Sequence, residues 1–410
     1  MRPFFLFLFL LSGTINLLSQ TTTEEDSLYI PESWDIGLDS LMNTWYFQHH
    51  ASRSDHPGYN EVVTVSDSVY VDRLARLDNL IELPYNDVVR RCIELYVDRR
   101  RGMIERMLGL ENIYFPMVEQ VLDENGLPLE LKYLAIVESA LNPVAVSRAG
   151  ATGLWQFMLA TGRQYGLEIN SLVDERRDPL KATYAACAYF KDMYKIYGDW
   201  HLVIASYNCG AGNVNKAIRR AGGKTDYWAI YPFLPRETRM YVPLFIGATY
   251  AMNYYANHQL YPVETTLPVA TDTVMINQAI HFDQIAEVLN VDKELVRNLN
   301  PQYKRDIIPG NSKPRAVRLP TIQTYAFVEK EDSIAQHRRD ELFTNRTYAG
   351  EQLNSGAPEK IFHRVKKGEN LRMISSKYGV TVAEVRRWNG LKSNSIVAGK
   401  RLAIYLNNSI

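Results

Sequence analysis

Glu138 lies in the run LKYLAIVESAL, residues 131–141, a segment otherwise built for a core. Apolar residues at Leu131, Leu134, Ala135, Val137 and Leu141 require most of it to be buried. Glu138 follows Leu134 by four residues and Ala135 by three, so it shares their helical face. A carboxyl kept among apolar groups resists ionisation, which raises its pKa and suits it to general-acid work. Asn142-Pro143 is expected to end the helix, since a residue before proline disfavours the helical region. The Gly-rich polar stretch from Gly153 to Gln156 follows. An acid at a helix end rimmed by loops suits cleavage of a sugar bond. A snorkelling glutamate at a partly buried helix end fits the same residues.

Around this carboxyl the chain reads as helix. From about Asp72 the pattern turns helical, and Asn86-Asp87 precedes a run from Val88 toward Leu108 with Val88, Cys92, Leu95 and Tyr96 at helical spacing. Residues 111–125 predict a second amphipathic helix ending near Asn125-Gly126. Asp178-Pro179 opens a third, because Asp caps and Pro suits the first helical position; it is expected to stop at Gly198. Beyond about residue 265 the texture changes to short alternating pieces, and a degenerate repeat emerges at an offset of 89. Phe282 matches Leu371, Ile285 matches Ile374, and Val291, Val296, Asn300 and Gly310 match Val380, Val385, Asn389 and Gly399. After an insertion from Ser312 to Arg315, Val317 and Leu319 correspond to Leu402 and Ile404.

The segment ESALNPVAVSRAGATGLWQFM, residues 138–158, resembles the catalytic core of the goose-type lysozyme and soluble lytic transglycosylase superfamily. Members carry a Glu-Ser pair, a serine nine residues after the Glu, and Gly-Leu-x-Gln; here these are Glu138-Ser139, Ser147 and Gly153 to Gln156. Ala205 to Gly212, with Tyr207-Asn208, is similar to the family's Ala-Tyr-Asn-x-Gly motif. Glu237-Thr238 through Tyr241-Val242 resembles the Glu-Thr-x-x-Tyr-Val segment of the membrane-bound type D lytic murein transglycosylases. One departure is Leu159, where the family usually has proline after methionine; it is expected to alter a helix start and leave the site intact. The second repeat copy, from Arg364 through Gly368, Asn389 and Gly399, resembles a LysM module, a two-stranded sheet with two helices on one face. The first copy lacks the Lys-Gly-Glu signature.

The resemblance implies a mainly α protein: a lysozyme-like helical catalytic domain followed by small α/β LysM-type modules. It implies a lytic transglycosylase acting on the β-1,4 bond between N-acetylmuramic acid and N-acetylglucosamine in peptidoglycan. Glu138 would be acid and then base, Ser147 and Gln156 would hold N-acetyl or hydroxyl groups, Tyr207 and Asn208 would line the groove, and Tyr241 would orient Glu138 or the intermediate. No second carboxylate stands out for a two-carboxylate hydrolase; Asp174, Glu175 and Asp178 read as a solvent-facing charged loop. Glu237 reads equally as a helix-start cap, and Tyr207, Tyr241 and Trp155 equally as core aromatics. A lysozyme-like hydrolase and a non-catalytic wall-binding scaffold remain the alternatives.

At 410 residues, 46% apolar, the chain can hold one substantial domain and one or two small ones. The expected division is a signal peptide over 1–20, an irregular leader over 21–71 and the catalytic domain over 72–262. A degenerate LysM-like module over 268–322, a linker over 329–360 and a LysM domain over 361–407 follow. Zero formal net charge argues against a nucleic-acid binder. Residues 363–410 are locally basic, with ten Lys/Arg against Glu369 and Glu384, which suits either an anionic polymer or a solvated face. The expected partners are peptidoglycan glycan strands, with LysM bound to N-acetylglucosamine polymer and other cell-wall proteins compatible. Export to a periplasm or cell envelope follows from Arg2 and the apolar run Phe4 to Leu11, with a retained signal anchor as the alternative. No cysteine precedes Cys92, which excludes a lipoprotein anchor on an N-terminal Cys. Cys92, Cys187 and Cys209 read as small buried hydrophobes. No metal or cofactor is expected: His49 and His50 have no ligand spacing around them, and there is no nucleotide loop.

Overall fold

The computed structural model describes residues 62–265, 267–343, 359–391 and 393–406. The expected signal segment, Trp34, Trp45, His49, His50 and residues 344–358 of the expected linker lie outside the described residues. Helix α1 (Asp67–Ala75) starts ahead of the expected boundary near Asp72. Its Tyr70 and Leu74 are buried, and Tyr70 meets Tyr250 edge-on at 5.3 Å, so this turn belongs to the core and not to a leader. Helix α2 (Asp87–Glu94) is capped by Asn86, whose side chain accepts from Val88 N and Val89 N. A single π-helical turn, Leu95–Arg99, leads to α3 (Arg101–Glu124).

The expected start of a new helix near 111 does not occur. Helix α3 runs unbroken through Gly109 and Pro116, because Leu108, Leu110, Tyr114 and Phe115 are buried on successive faces and packing overrides the local breakers. A 3₁₀ turn, Leu129–Tyr133, passes into the short α4 (Leu134–Ser139). Then come α5 (Leu159–Gln164), α6 (Pro179–Tyr197) and α7 (Trp200–Cys209). Asp178 caps α6 through Leu180 N and Lys181 N, and Gly198 ends it in a left-handed conformation, as the spacing predicts. Two shorter helices, α8 (Ala211–Arg220) and α9 (Tyr227–Ile230), precede α10 (Arg236–Tyr254). Helix α10 is buried almost all round: it packs on α2 and α7 and closes over α4.

The region beyond α10 holds two small α/β units. The first contains β1 (Thr271–Ile276), β2 (Ala279–His281), β3 (Ile307–Pro309) and β4 (Arg315–Pro320). Strand β1 pairs antiparallel with β4, Val274 opposite Val317, and β2 pairs with β3. Helices α11 (Phe282–Leu289) and α12 (Lys293–Leu299) lie between, and α13 (Thr321–Gln336) and α14 (Arg339–Leu342) follow. The sequence places a polar linker from 329 on, but α13 continues to Gln336. Phe327 and Ile334, seven residues apart, are fully buried in this unit's core, and the Gln284 amide donates to Ala335 O and His337 O. The second unit pairs β5 (Glu359–Arg364) with β6 (Arg401–Leu406) and carries α15 (Leu371–Tyr378) and α16 (Val382–Trp388). Helix α15 lies against α5, with Gly379 beside Ala160.

The offset of 89 reappears in the hydrogen bonding. Asn300 Nδ2 donates to Val296 O (2.9 Å) and Arg318 O (2.8 Å), and its Oδ1 accepts from Arg318 N (2.8 Å). Asn389 Nδ2 donates to Val385 O (2.8 Å) and Ala403 O (2.7 Å), and its Oδ1 accepts from Ala403 N (2.7 Å). In each unit one amide clasps the second helix to the last strand.

Candidate active site

Helix α4 presents Glu138 from its last turn while Leu134, Ala135, Ile136 and Val137 are completely buried. The helix ends at Ser139, earlier than the proline rule predicts. Ala140 (φ 52°) and Leu141 (φ 63°) are left-handed, and their amides return to Ile136 O and Ala135 O in a Schellman-type close. Neither is glycine, so this reversal is strained and must be held by its surroundings. Ser139, itself buried, does part of the holding: its hydroxyl donates to Leu154 O (2.8 Å) and accepts from Asn142 N (3.2 Å).

That bond ties α4 to the loop carrying the next two candidates. Thr152 and Phe157 exchange both backbone bonds and pinch the stretch between them into a tight turn, with Gly153 at φ 90° and Gln156 at φ 48°. Ser147 Oγ accepts from Ala151 N (3.0 Å), leaving its proton to donate. Gln156 is buried, and its amide nitrogen donates inward to Gly153 O (2.8 Å) and Ala145 O (3.2 Å). Its Oε1 is buried without a hydrogen-bond partner among the described residues. Trp155, next to it, is wholly a core residue whose indole N–H donates to Thr183 Oγ1 (2.9 Å).

The far wall comes from α7 and α10. Tyr207 packs against Phe157, Tyr189 and Phe190, and its hydroxyl donates to Trp155 O (2.8 Å). Asn208, half-buried, accepts at Oδ1 from the buried Thr238 hydroxyl (2.8 Å). Tyr241, one turn further along α10, donates its hydroxyl hydrogen to Glu138 Oε1.

Glu138 is half-buried, with the packed end of α4 beneath it and α10 above. This crowding desolvates the carboxylate and is the largest influence on its pKa, which rises from 4.5 to about 8. The Tyr241 hydrogen bond pulls it down, and the negative charge of Glu237 pushes it further up. Burial, with the Glu138 charge next, likewise raises the Tyr241 phenol. At neutral pH the site therefore holds one protonated carboxyl, the state a proton donor needs.

Glu138, Tyr207, Asn208 and Tyr241 thus come together, with Ser147 and Gln156 on the adjoining loop. Two contributors take roles that the sequence does not assign. Thr238 fixes Asn208, and its motif position was the only signal. Glu237 is exposed in the first turn of α10 yet acts electrostatically on Glu138, so it does more than sit at a helix start. The reading of 174–178 as a solvent-facing loop is corrected. Asp174 and Glu175 are 5% and 4% exposed, and Asp178 is half-buried at its cap. Arg176 neutralises Asp174 in place, and Lys181 and Arg315 neutralise Glu175. Cys92 and Cys187 are buried and Cys209 half-buried; burial raises all three thiols, so none is primed as a nucleophile. Among the described residues no group of three or more His, Cys, Asp or Glu is placed to hold a metal ion.

A mainly helical domain with a carboxyl site, followed by two small α/β modules, is the architecture of a wall-lytic transglycosylase with LysM-type modules, and family models match it in that order. The Transglycosylase SLT domain matches residues 117–230, the Lytic transglycosylase MltD, LysM-like domain residues 270–336, and the LysM domain residues 363–404. The chain is 30% identical over 331 residues to membrane-bound lytic murein transglycosylase D of Escherichia coli K12, covering 80% of this chain and 71% of that protein. It belongs to the membrane-bound lytic murein transglycosylase D family. Membrane-bound lytic murein transglycosylase F of Maricaulis maris is 32% identical over 147 residues, covering 32% of this chain and 30% of its own. Among solved structures, the 70 kDa soluble lytic transglycosylase of Escherichia coli matches at 27% identity with a TM-score of 0.30. That match covers 35% of this chain and 24% of the other.

Proposed function

We propose that this protein is a peptidoglycan lytic transglycosylase that works with Glu138 as its single acid and base. The observation that carries the reading is the Glu138 carboxyl, crowded into holding its proton to about pH 8 and gripped by the Tyr241 hydroxyl. Glu138 gives its proton to the glycosidic oxygen between N-acetylmuramic acid and N-acetylglucosamine, and the C1–O bond breaks. The resulting carboxylate, stabilised by Tyr241, takes the proton from the muramyl 6-hydroxyl as that oxygen bonds to C1. The products are a 1,6-anhydromuramyl end and a free 4-hydroxyl, and no water is consumed.

The loop geometry refines the supporting roles. Ser147 donates from its hydroxyl to an acceptor on the sugar. Gln156 hydrogen-bonds the N-acetyl or hydroxyl groups near the cleavage point, as its motif position implies; its nitrogen is engaged by the loop and its Oε1 is buried. Tyr207 and Asn208 line the opposite wall, and the Thr238 hydroxyl engages the Asn208 Oδ1. The LysM module binds N-acetylglucosamine-containing strands and holds the enzyme at the wall, in the cell envelope. Among the described residues no helix is long and apolar enough to cross a membrane.

The test is digestion of purified sacculi by the wild-type protein and by Glu138→Gln, with mass spectrometry of the released muropeptides. Anhydromuramyl products from wild type alone are expected. Reducing, hydrated ends would make the protein a lysozyme-like hydrolase, and pelleting without release by either protein would leave a wall-binding scaffold.

A further inference from the structure

The loop over residues 168–177 leaves the catalytic domain and enters the first LysM-type module. Leu172 and Val173 join that module's apolar core with Ile276, Ile280 and Phe282, and Val173 bridges to Tyr303. The module grips the loop's backbone: Asp174 N donates to Gln302 O (2.9 Å), Lys304 N to Leu172 O (2.7 Å) and Lys304 Nζ to Asn170 O (2.6 Å). Arg315, 4% exposed, forks onto Glu168 at 2.9 and 2.7 Å, with Lys313 beside it. Glu168 is desolvated, yet these cations more than reverse that and hold its carboxyl down at about 2.

The other side of the same loop faces the site. Asp174 takes both ends of the Arg176 guanidinium, at Nε (2.9 Å) and Nη2 (2.8 Å). Arg176 Nη1 then donates to Gly150 O (3.1 Å) and Phe157 O (3.2 Å), which bracket the Gln156 turn and close the Ser147 turn. Gly153 lies so close to the Arg176 carbonyl that a Cβ there would sit 1.7 Å from its oxygen. Buried, bidentate and planar, this guanidinium does what a lysine ammonium cannot.

We propose that the first LysM-type module is part of the catalytic frame. Through the 168–177 loop it fixes Arg176, and Arg176 is a positioning residue for the Ser147–Phe157 loop. This rests on the reading that Ser147 and Gln156 hold the glycan. The module's distance from Glu138 matters little, because a mutation far from the chemistry that shifts a holding group by an ångström costs up to about a hundredfold in rate.

The experiment uses the full chain with Arg315→Gln, Arg315→Lys, Arg176→Lys and the Arg315→Gln/Arg176→Lys double variant. Hydrogen exchange of the 145–157 amides is measured beside turnover of soluble glycan chains. In Arg315→Gln those amides should exchange about tenfold faster while α10 is unchanged. kcat/KM should fall about tenfold or more, with the alkaline limb of the pH profile unmoved because Glu138 keeps its neighbours. Arg315→Lys should recover part of both effects. The double variant should lose less than the product of the singles, since both act through one loop. Unchanged exchange in Arg315→Gln, or multiplicative losses, would overturn the proposal, as would activity falling only in proportion to the folded fraction. A wild-type protein that cleaves nothing would sink the functional reading instead, and exchange would still decide whether the module orders the loop.

Discussion

Replacing Glu138 by Gln should make the protein more stable at neutral pH while abolishing activity. In the folded state the carboxyl keeps its proton up to about pH 8, whereas the unfolded chain releases it near 4.5. Between those values the unfolded state binds fewer protons, so the unfolding free energy falls as pH rises, by about 1.36 kcal/mol per pH unit. The contribution is complete below 4.5 and is lost progressively toward 8. At pH 7 the loss is at most about 3 kcal/mol, an upper bound because the half-buried carboxyl retains some solvent from the groove. Glutamine has no proton to lose, can still accept from Tyr241, and is nearly the same size. A melting curve of the catalytic transition should therefore show Glu138→Gln higher by roughly 5–10 °C at pH 7, with the two proteins converging at pH 4. All other titrating groups are common to both and cancel in the difference. A stability difference that is the same at pH 4 and pH 7 would refute the claim that folding holds this carboxyl protonated.

Three further expectations concern residues around the site and the terminal module. Tyr241→Phe removes the donor that lowers the Glu138 pKa, a charge-assisted bond worth about 1.5–3 kcal/mol. The alkaline limb of kcat/KM should move up by about one pH unit and the rate at pH 6 should drop at least about tenfold; a stationary limb would rule out the assignment. Glu237→Gln removes a like charge and should move the same limb downward by a few tenths of a unit. The shift is small because Glu237 is exposed, and it should shrink in high salt. Asn389→Ala breaks a three-bond clasp and leaves backbone groups of Ala403 and Val385 unpaired, at about 1–3 kcal/mol each where buried. In a module this small that should abolish pelleting with sacculi yet spare cleavage of short soluble chains.

The carboxyl site was legible because its signals are local. Apolar spacing put Glu138 on a core-facing stretch, and the motif positions named Ser147, Gln156, Tyr207, Asn208 and Tyr241, which converge on one region of the fold. Asp178-Pro179 and Gly198 marked the bounds of α6 for equally local reasons. What escaped depends on partners distant in the chain. Asp174 and Glu175 look solvated until Arg315, some 140 residues on, is placed beside Glu168 and Glu175. Leu172 and Val173 read as ordinary loop apolar residues because the core they enter belongs to another module. The helix-ending reversal at Ala140 and Leu141 violates propensity and is held by Ser139 reaching Leu154, a contact that periodicity cannot encode. The extension of α13 rests on Phe327 and Ile334 within a polar stretch that composition alone marks as linker.

The matching asparagine clasps have an evolutionary consequence. Each is internal to its own unit, so the instructions for the fold are carried by a handful of inward positions, and the outward positions are free to drift after duplication. One copy could then be absorbed into a neighbouring domain while the other kept an exposed face. The two units should accordingly behave as interchangeable parts. A chimera carrying the interior of the second copy beneath the exterior of the first should fold, with its lineage visible only in its core.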